Sequence, residues 1–540
     1  MIVADFRKKK NMRKYITVLL STCLITFTNA NAQNSTPIPN LSEVGSHCMP
    51  QEIAPIQNSY FNIPQLKRPQ FPDRTVNMGD KGLRADIPIH TLVNRTIEQL
   101  SSQGGGTVII PAGKWISGRI ELKSFVELHI ARDAEIVFGG CAEDYLPAVF
   151  TRHEGVEIMG PGAFIYANNQ ENIAITGEGR ILGPDMDAEI RKRPNGASVV
   201  EKDIPWDMPV EQRIYDGMDG RTFYRPKTIS PINCRNVLIE GITMERSTLW
   251  NVVPIYCENV IIRGITVNST EVPSGDGIDI ESCKNVLIEY CTLNCGDDCF
   301  TLKAGRADDG LRVGKATENV VIRHSLAQHG HGGITIGSET AGMIKNLYVH
   351  DCVFDGTRTG IRFKTRRNRG GGSNHTIYER LRMINVGKAF TWDLLGNAYY
   401  MGELAARYPE RAVDHLTPNI SNTVIKDFIV ESSKQFFTAN GIPEIPFSNT
   451  LIENGTIHCQ QLISALQDAK NFQMKNLIIH SQDNTIKLLD CNRLTLQGIN
   501  FDMPQNELII EAEGDKCKKI EVKECNVPHS IKKTYKPTNQ

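Results

Sequence analysis

From Thr107 onward the apolar residues fall on alternate positions. In SFVELHI, Val126, Leu128 and Ile130 alternate with Phe125, Glu127 and His129, the pattern of a half-buried strand. A phrase then recurs: an asparagine, three or four apolar or β-branched residues, and a turn. It starts at Asn172, Asn236, Asn259, Asn285, Asn319 and Asn346, and again at Asn422, Asn449, Asn471 and Asn492. Successive copies from Asn236 to Asn346 and from Asn422 to Asn492 lie 21 to 34 residues apart. Short strands at that period without intervening helices predict a solenoid of β-coils. Leucine-rich repeats need a leucine frame that the chain lacks, and propeller blades need about twice the period. The expected fold is all-β, a right-handed parallel β-helix with the asparagines stacked in a ladder at the bends.

Flanking segments complete the plan. Asp86 is placed to cap a helix with Pro88 in its first turn and Ile89, Val93, Ile97 and Leu100 on one face, ended by Gly104-Gly105-Gly106. Such a helix would cover the open end of the strand stack. Residues 33–85 are Pro- and Asn-rich and read as an extended arm, residues 86–530 as one β-helix domain, and 531–540 as a tail. Two stretches exceed what a coil needs, Pro184 to Pro226 and Asn397 to Pro418. Long insertions on a solenoid gather on its working face.

Basic residues from Arg7 to Lys14, an apolar run from Ile16 to Phe27 and Ala30-Asn31-Ala32 read as a signal peptide over residues 1–32, with Met12 an alternative start and Cys23 a weaker lipoprotein site. The run is too short for a permanent membrane anchor. An exported protein, periplasmic or secreted, is expected. Its formal net charge of −1 gives no field for nucleic acid or a membrane surface, and a monomer is expected. The cysteines, 14 in all, include an evenly spaced set, Cys291, Cys295 and Cys299, that lacks the CxxC pairs of zinc sites; buried core cysteines are the reading preferred over a metal.

Polar residues interrupt the repeat in four Gly-flanked clusters: Asp276, Asp297 with Asp298, His331, and Arg362 with Lys364. One coil separates each from the next, so they can stack about 4.8 Å apart. Carboxylates that close raise at least one pKa, which leaves a protonated acid beside an ionised base, the pair that glycosidic hydrolysis uses. A calcium or structural acid cluster is the plainer alternative.

In that order DGID, GDD, GHG followed by ITIGSE, and RFK closely resemble the signature motifs of glycoside hydrolase family 28, the polygalacturonases and related pectin hydrolases; GGGTVIIPAG resembles that family's first coil. The resemblance implies a parallel β-helix that hydrolyses with inversion, needs no metal or organic cofactor, and takes pectic polysaccharide or oligosaccharide as substrate. Carried over, Asp297 is the general acid, Asp276 and Asp298 hold and activate water, His331 tunes the acid, and Arg362 and Lys364 grip a substrate carboxylate. Ser274 and Lys303 complete the expected binding set, and His329 is the rival to His331. The family commonly has Asn-Thr where this chain has Ser274-Gly275, which bears on linkage preference. Arg366, Arg367 and Arg369 read equally well as contacts to a second uronate or as a solvated turn. A pectin lyase and a non-catalytic polysaccharide-binding β-helix are the competing readings. The two insertions, each carrying tyrosines, lead us to expect exo action.

Overall fold

The computed structural model describes residues 37–192, 200 and 204–534; the expected signal peptide lies outside the described residues. Thirty-one strands join in one continuous parallel ladder, so the chain is the parallel β-helix that the repeat implies. Each turn contributes to stacked rows. One stack runs through Glu171–Gly177, Arg235–Glu240, Glu258–Arg263, Lys284–Glu289 and Thr317–Arg323. A second runs through Thr243–Glu245, Thr266–Ser269, Thr292–Cys295 and Leu326–His329. A third, carrying the polar clusters, runs through Ile278–Glu281, Phe300–Lys303, Ile334–Gly337, Thr359–Lys364 and Val386–Asp393. Among the described residues no helix is long and apolar enough to cross a membrane.

The asparagines take left-handed backbone, φ 51° to 58° from Asn172 to Asn346, a conformation that asparagine tolerates better than β-branched residues. Their amides form the ladder: Asn259 donates to Asn236 at 3.1 Å, Asn285 to Asn259 at 3.2 Å, Asn319 to Asn285 at 3.1 Å and Asn346 to Asn319 at 3.0 Å. His375, φ 58°, takes the next place, and the ladder resumes through Asn422, Asn449 and Asn471. It ends there. Arg493, not Asn492, occupies the following left-handed position, because the register pairs Asn492 with Lys470.

Each phrase carries one more apolar residue than a half-buried strand needs. In NVLIEY, Val286 and Ile288 enter the core while Leu287 faces outward. The outward stripe of Leu238, Ile261, Leu287 and Val321 is buried under Leu66, Ile53 and Ile56 of the N-terminal arm. Arginines at the strand ends pin the arm, Arg263 donating to the Pro50 carbonyl and Arg323 to that of Ala54, both at 2.6 Å. The arm therefore lies on the body.

Some boundaries differ from the expected ones. The helix is His90–Ser102 with Ile89 at its N-cap; Asp86 instead binds Arg84 at 2.7 Å, since the chain turns once more before the helix begins. Its buried face, Val93, Ile97 and Leu100, is the expected one, and it packs into the main core. Strand pairing begins at Thr75–Asn77 and runs to His529–Thr534. Cys291, Cys295 and Cys299 are fully buried core residues.

Both insertions are tied to one post, the helix Ala307–Val313. Arg213 of the first pairs with buried Asp309 at 2.8 Å, and His415 of the second with Asp308 at 2.9 Å. Arg367 faces this scaffold, bound to Glu444 at 2.5 Å and to the Arg407 carbonyl at 2.8 Å, so it is neither a substrate contact nor a solvated turn.

Candidate active site

In the third stack Ile278, Phe300, Ile334 and Ile361 form one inward row. The next row, Asp279, Thr301, Thr335 and Arg362, must face outward. Asp276 and Asp298 stand two residues before Ile278 and Phe300, and Gly277 donates to the Asp298 carbonyl at 3.0 Å. The turn at GHG has to be glycine: a Cβ at Gly332 would lie 2.9 Å from Asp298 Oδ1 and 2.2 Å from Thr335 Oγ1.

The expected cluster assembles. Oxygens of Asp276, Asp297 and Asp298 lie within 4.8 Å of one another. His331 Nδ1 sits 2.9 Å from Asp297 Oδ1, whereas His329 Nδ1 lies 3.0 Å from the Cys295 carbonyl, so His331 is the histidine in contact with the acid cluster. Arg362 holds Asp298 Oδ1 at 3.0 Å and Lys364 holds Oδ2 at 2.8 Å. Two protein cations thus already supply Asp298 with the charge that a calcium ion would bring.

Burial and these partners divide the acids. Burial would raise Asp298, but Lys364 and Arg362 outweigh it and hold the carboxyl well below the usual range. Burial, with the charges of Asp279 and Asp297, pushes Asp276 well above. Asp297 feels burial and Asp298 pushing up, and the His331 contact with the Lys364 charge pulling down more strongly, so it too sits below its ordinary value. Burial thus favours the neutral form at Asp276, while the neighbouring cations and His331 favour the ionised form at Asp298 and Asp297.

Of the floor beneath, sequence reasoning named only Lys303. Asp279 and Glu281 are fully buried, and burial raises Asp279 to about 8 against the pull of Lys303. Lys303 itself is buried, its ammonium 3.6 Å from Asp279, 3.0 Å from Glu339 and 4.4 Å from the Trp250 ring. Arg306 reaches Glu339 at 2.7 Å and Glu154 at 3.0 Å. The signals were present, Asp279 inside DGID and Glu339 inside ITIGSE, but a charge facing outward on a strand reads as solvated until neighbouring turns cover it.

Asp279 gives a pH prediction. Its folded value of about 8 exceeds the roughly 4 of an unfolded aspartate, so its contribution to stability is complete below about pH 4 and is lost as pH rises toward 8. The melting temperature of Asp279→Asn, followed from pH 5 to 8, should fall less steeply than that of the wild type. Parallel curves would mean that Asp279 titrates normally.

A cavity of about 390 Å³ stands over this floor, lined on the side of the acid cluster by Ser274, Asp276, Asp297, His331, Arg362 and Lys364. The first insertion supplies Phe223, Tyr224 and Arg225, with Tyr224 stacked on His153 at 4.1 Å; the second supplies Asn397 and Tyr400, with Arg366 over the Tyr400 ring at 5.0 Å. The volume lies in the range of small-ligand pockets.

The sequence profile of glycosyl hydrolases family 28 matches residues 216–395, which include every residue of the acid cluster and its cationic partners. The chain is 28% identical over 373 residues to a probable polygalacturonase of Vitis vinifera, covering 67% of this chain and 69% of that one. It is 23% identical over 343 residues to an exo-poly-alpha-D-galacturonosidase of Dickeya chrysanthemi, covering 59% of this chain and 57% of that one. Among solved structures, the hyperthermoactive exopolygalacturonase of Thermotoga maritima superposes with a TM-score of 0.67 at 31% identity, covering 77% of this chain and 93% of that one.

Proposed function

The chain belongs to glycosyl hydrolase family 28, and on that premise we propose that it is an exported, exo-acting hydrolase of α-linked galacturonic acid in pectic polysaccharides or oligosaccharides. The observation that carries the exo reading is the cavity walled by both insertions above the three acids. A cleft open at both ends admits a polymer, while a pocket closed at one end takes a chain terminus. The first insertion stands on the coils before Asp276 and lines the cavity with Phe223, Tyr224 and Arg225, and the reading takes release to be from the non-reducing end. The basic and apolar composition of residues 1–32 supports export.

In this reading Asp297 protonates the leaving oxygen, while Asp276 and Asp298 orient and deprotonate the attacking water. His331 holds Asp297 in place. The proton that burial favours at Asp276 must pass to Asp297. Displacing water by the sugar strengthens the desolvation of Asp297, already the strongest influence on it, and draws the proton there. The acid oxygens, within 4.8 Å, are closer than the roughly 6.5–9.5 Å between the two carboxyl groups of inverting enzymes. Inversion is kept in this account because a third acid shares the water, so it need not stand between the pair.

Viscometry tests the mode of attack. Exo cleavage should leave the viscosity of a polygalacturonate solution nearly unchanged while reducing ends accumulate and monomer is released. An early collapse of viscosity with intermediate oligomers as first products would establish internal cutting.

A further inference from the structure

We propose that Arg407 is a positioning residue: it fastens the second insertion to Asp468 and Asp490, so that the C-terminal coils hold the cavity wall that carries Tyr400. The proposal rests on the exo-hydrolase reading above and deepens it. The family profile ends at residue 395, and the coils from Asn419 onward lie beyond it. None of the residues that line the cavity comes from those coils. Their contribution is the anchor.

After Lys364 the third stack continues through Asp393, Asn440, Gln467 and Leu489, one position per coil. Asp468 and Asp490 follow the last two, both in left-handed backbone at φ 51°, and so occupy the same bend of successive coils. Arg407 grips Asp468 in a fork, Nε to Oδ2 at 2.8 Å and Nη2 to Oδ1 at 2.7 Å, and Nη2 also reaches Asp490 Oδ2 at 2.6 Å. The Asp468 side chain is fully buried and that of Asp490 nearly so. Gly514 takes the same bend on the next coil, where a Cβ would lie 2.2 Å from Asp490 Oδ1. From the other side Arg367 donates to the Leu404 carbonyl at 3.1 Å and to that of Arg407 at 2.8 Å. Residues 404–407 are therefore clamped. The clamp sits three strand spacings along the stack from the Lys364 coil, roughly 14 Å.

The end of the insertion at the cavity is held far less. Tyr400 stands on the single-turn helix Ala398–Met401, which buries only Met401, and Tyr399 and Tyr400 are 65% and 45% exposed. One turn has no stability of its own, so its place over the acids is inherited from the clamp. Arg407 does not line the cavity, and it acts on substrate only through the insertion.

The test compares the wild type with Arg407→Gln/Asp468→Asn, which removes both charges together and leaves Asp468 neither buried nor charged without a partner. KM for trigalacturonate should rise roughly 3- to 10-fold, the cost of immobilising one freed side chain on binding. The kcat and its pH profile should stay close to wild type, because the acid cluster is untouched. Arg407→Lys, which can keep one ion pair, should fall between the two. On polygalacturonate the double variant should release oligomers and lower the viscosity earlier than the wild type does. A wild-type KM and product pattern, even at a lower melting temperature, would make the anchor a structural pair only and overturn the proposal. So would a fall in kcat at unchanged KM. Internal cutting by the wild type would bring down the exo reading alone, and the KM comparison would still decide the role of Arg407. No cleavage of any uronate chain would bring down the hydrolase reading and this proposal with it.

Discussion

Asp297→Asn should lower kcat by about 100- to 10,000-fold while leaving folding and substrate affinity close to wild type, because it removes a transferable proton and keeps the shape. Asp297 is the most solvent-open of the three acids, its side chain 25% exposed against 0% for Asp298. A neutral amide there strands no buried charge, and the local cost is the contact with His331. The combination of lost turnover and retained binding is the signature of a group used in the transition state. Near-wild-type turnover on a pectic oligosaccharide would remove Asp297 from the mechanism. A loss of melting temperature matching the loss of activity would make it a structural residue instead.

Lys364→Ala should reduce both stability and activity, a different outcome from loss of a substrate contact alone. Asp298 is fully buried and its Oδ2 has Lys364 as partner at 2.8 Å. Removing the ammonium leaves half of a buried carboxylate unpaired. Breaking buried pairs costs about 3–5 kcal/mol, and the lower end applies because Arg362 remains on Oδ1. The Asp298 carboxyl should then rise toward protonation and stop serving as a base. Adding Asp298→Asn to Lys364→Ala should restore much of the stability and none of the activity. Chemical denaturation beside turnover measurements checks both halves. A Lys364→Ala protein as stable as wild type would show that Asp298 does not depend on this cation.

The fold was legible because a β-helix repeats its information. Each NVLIE-type phrase states the strand, the inward pair and the bend, and the asparagine ladder confirms the same register from the side chains. Asn492 was misplaced because a one-residue shift keeps the composition of the phrase and changes only which residue meets the left-handed position. The three clustered acids were legible for a related reason, since charge inside a repeating strand pattern has few structural uses. What stayed hidden depends on contacts between coils. Lys303 lines the cavity, and only the fold shows that its ammonium also lies against Glu339 and Asp279. Arg367 and Arg369 stand two residues apart in one basic run, and only the fold sends one to Glu444 and the other to the cavity. The insertions announced themselves by length, but their shared anchorage on Asp308 and Asp309 involves residues about 100 positions away.

The most direct test of a hydrolase acting on uronate chains is the product of one defined substrate. Trigalacturonate incubated with the protein should yield galacturonate and digalacturonate, both saturated, by mass, with the newly formed anomeric centre first seen by NMR in the β configuration. An unsaturated product would make the enzyme a lyase, an α anomer formed first would replace the single displacement by a covalent intermediate, and an intact trimer would contradict the account at its centre.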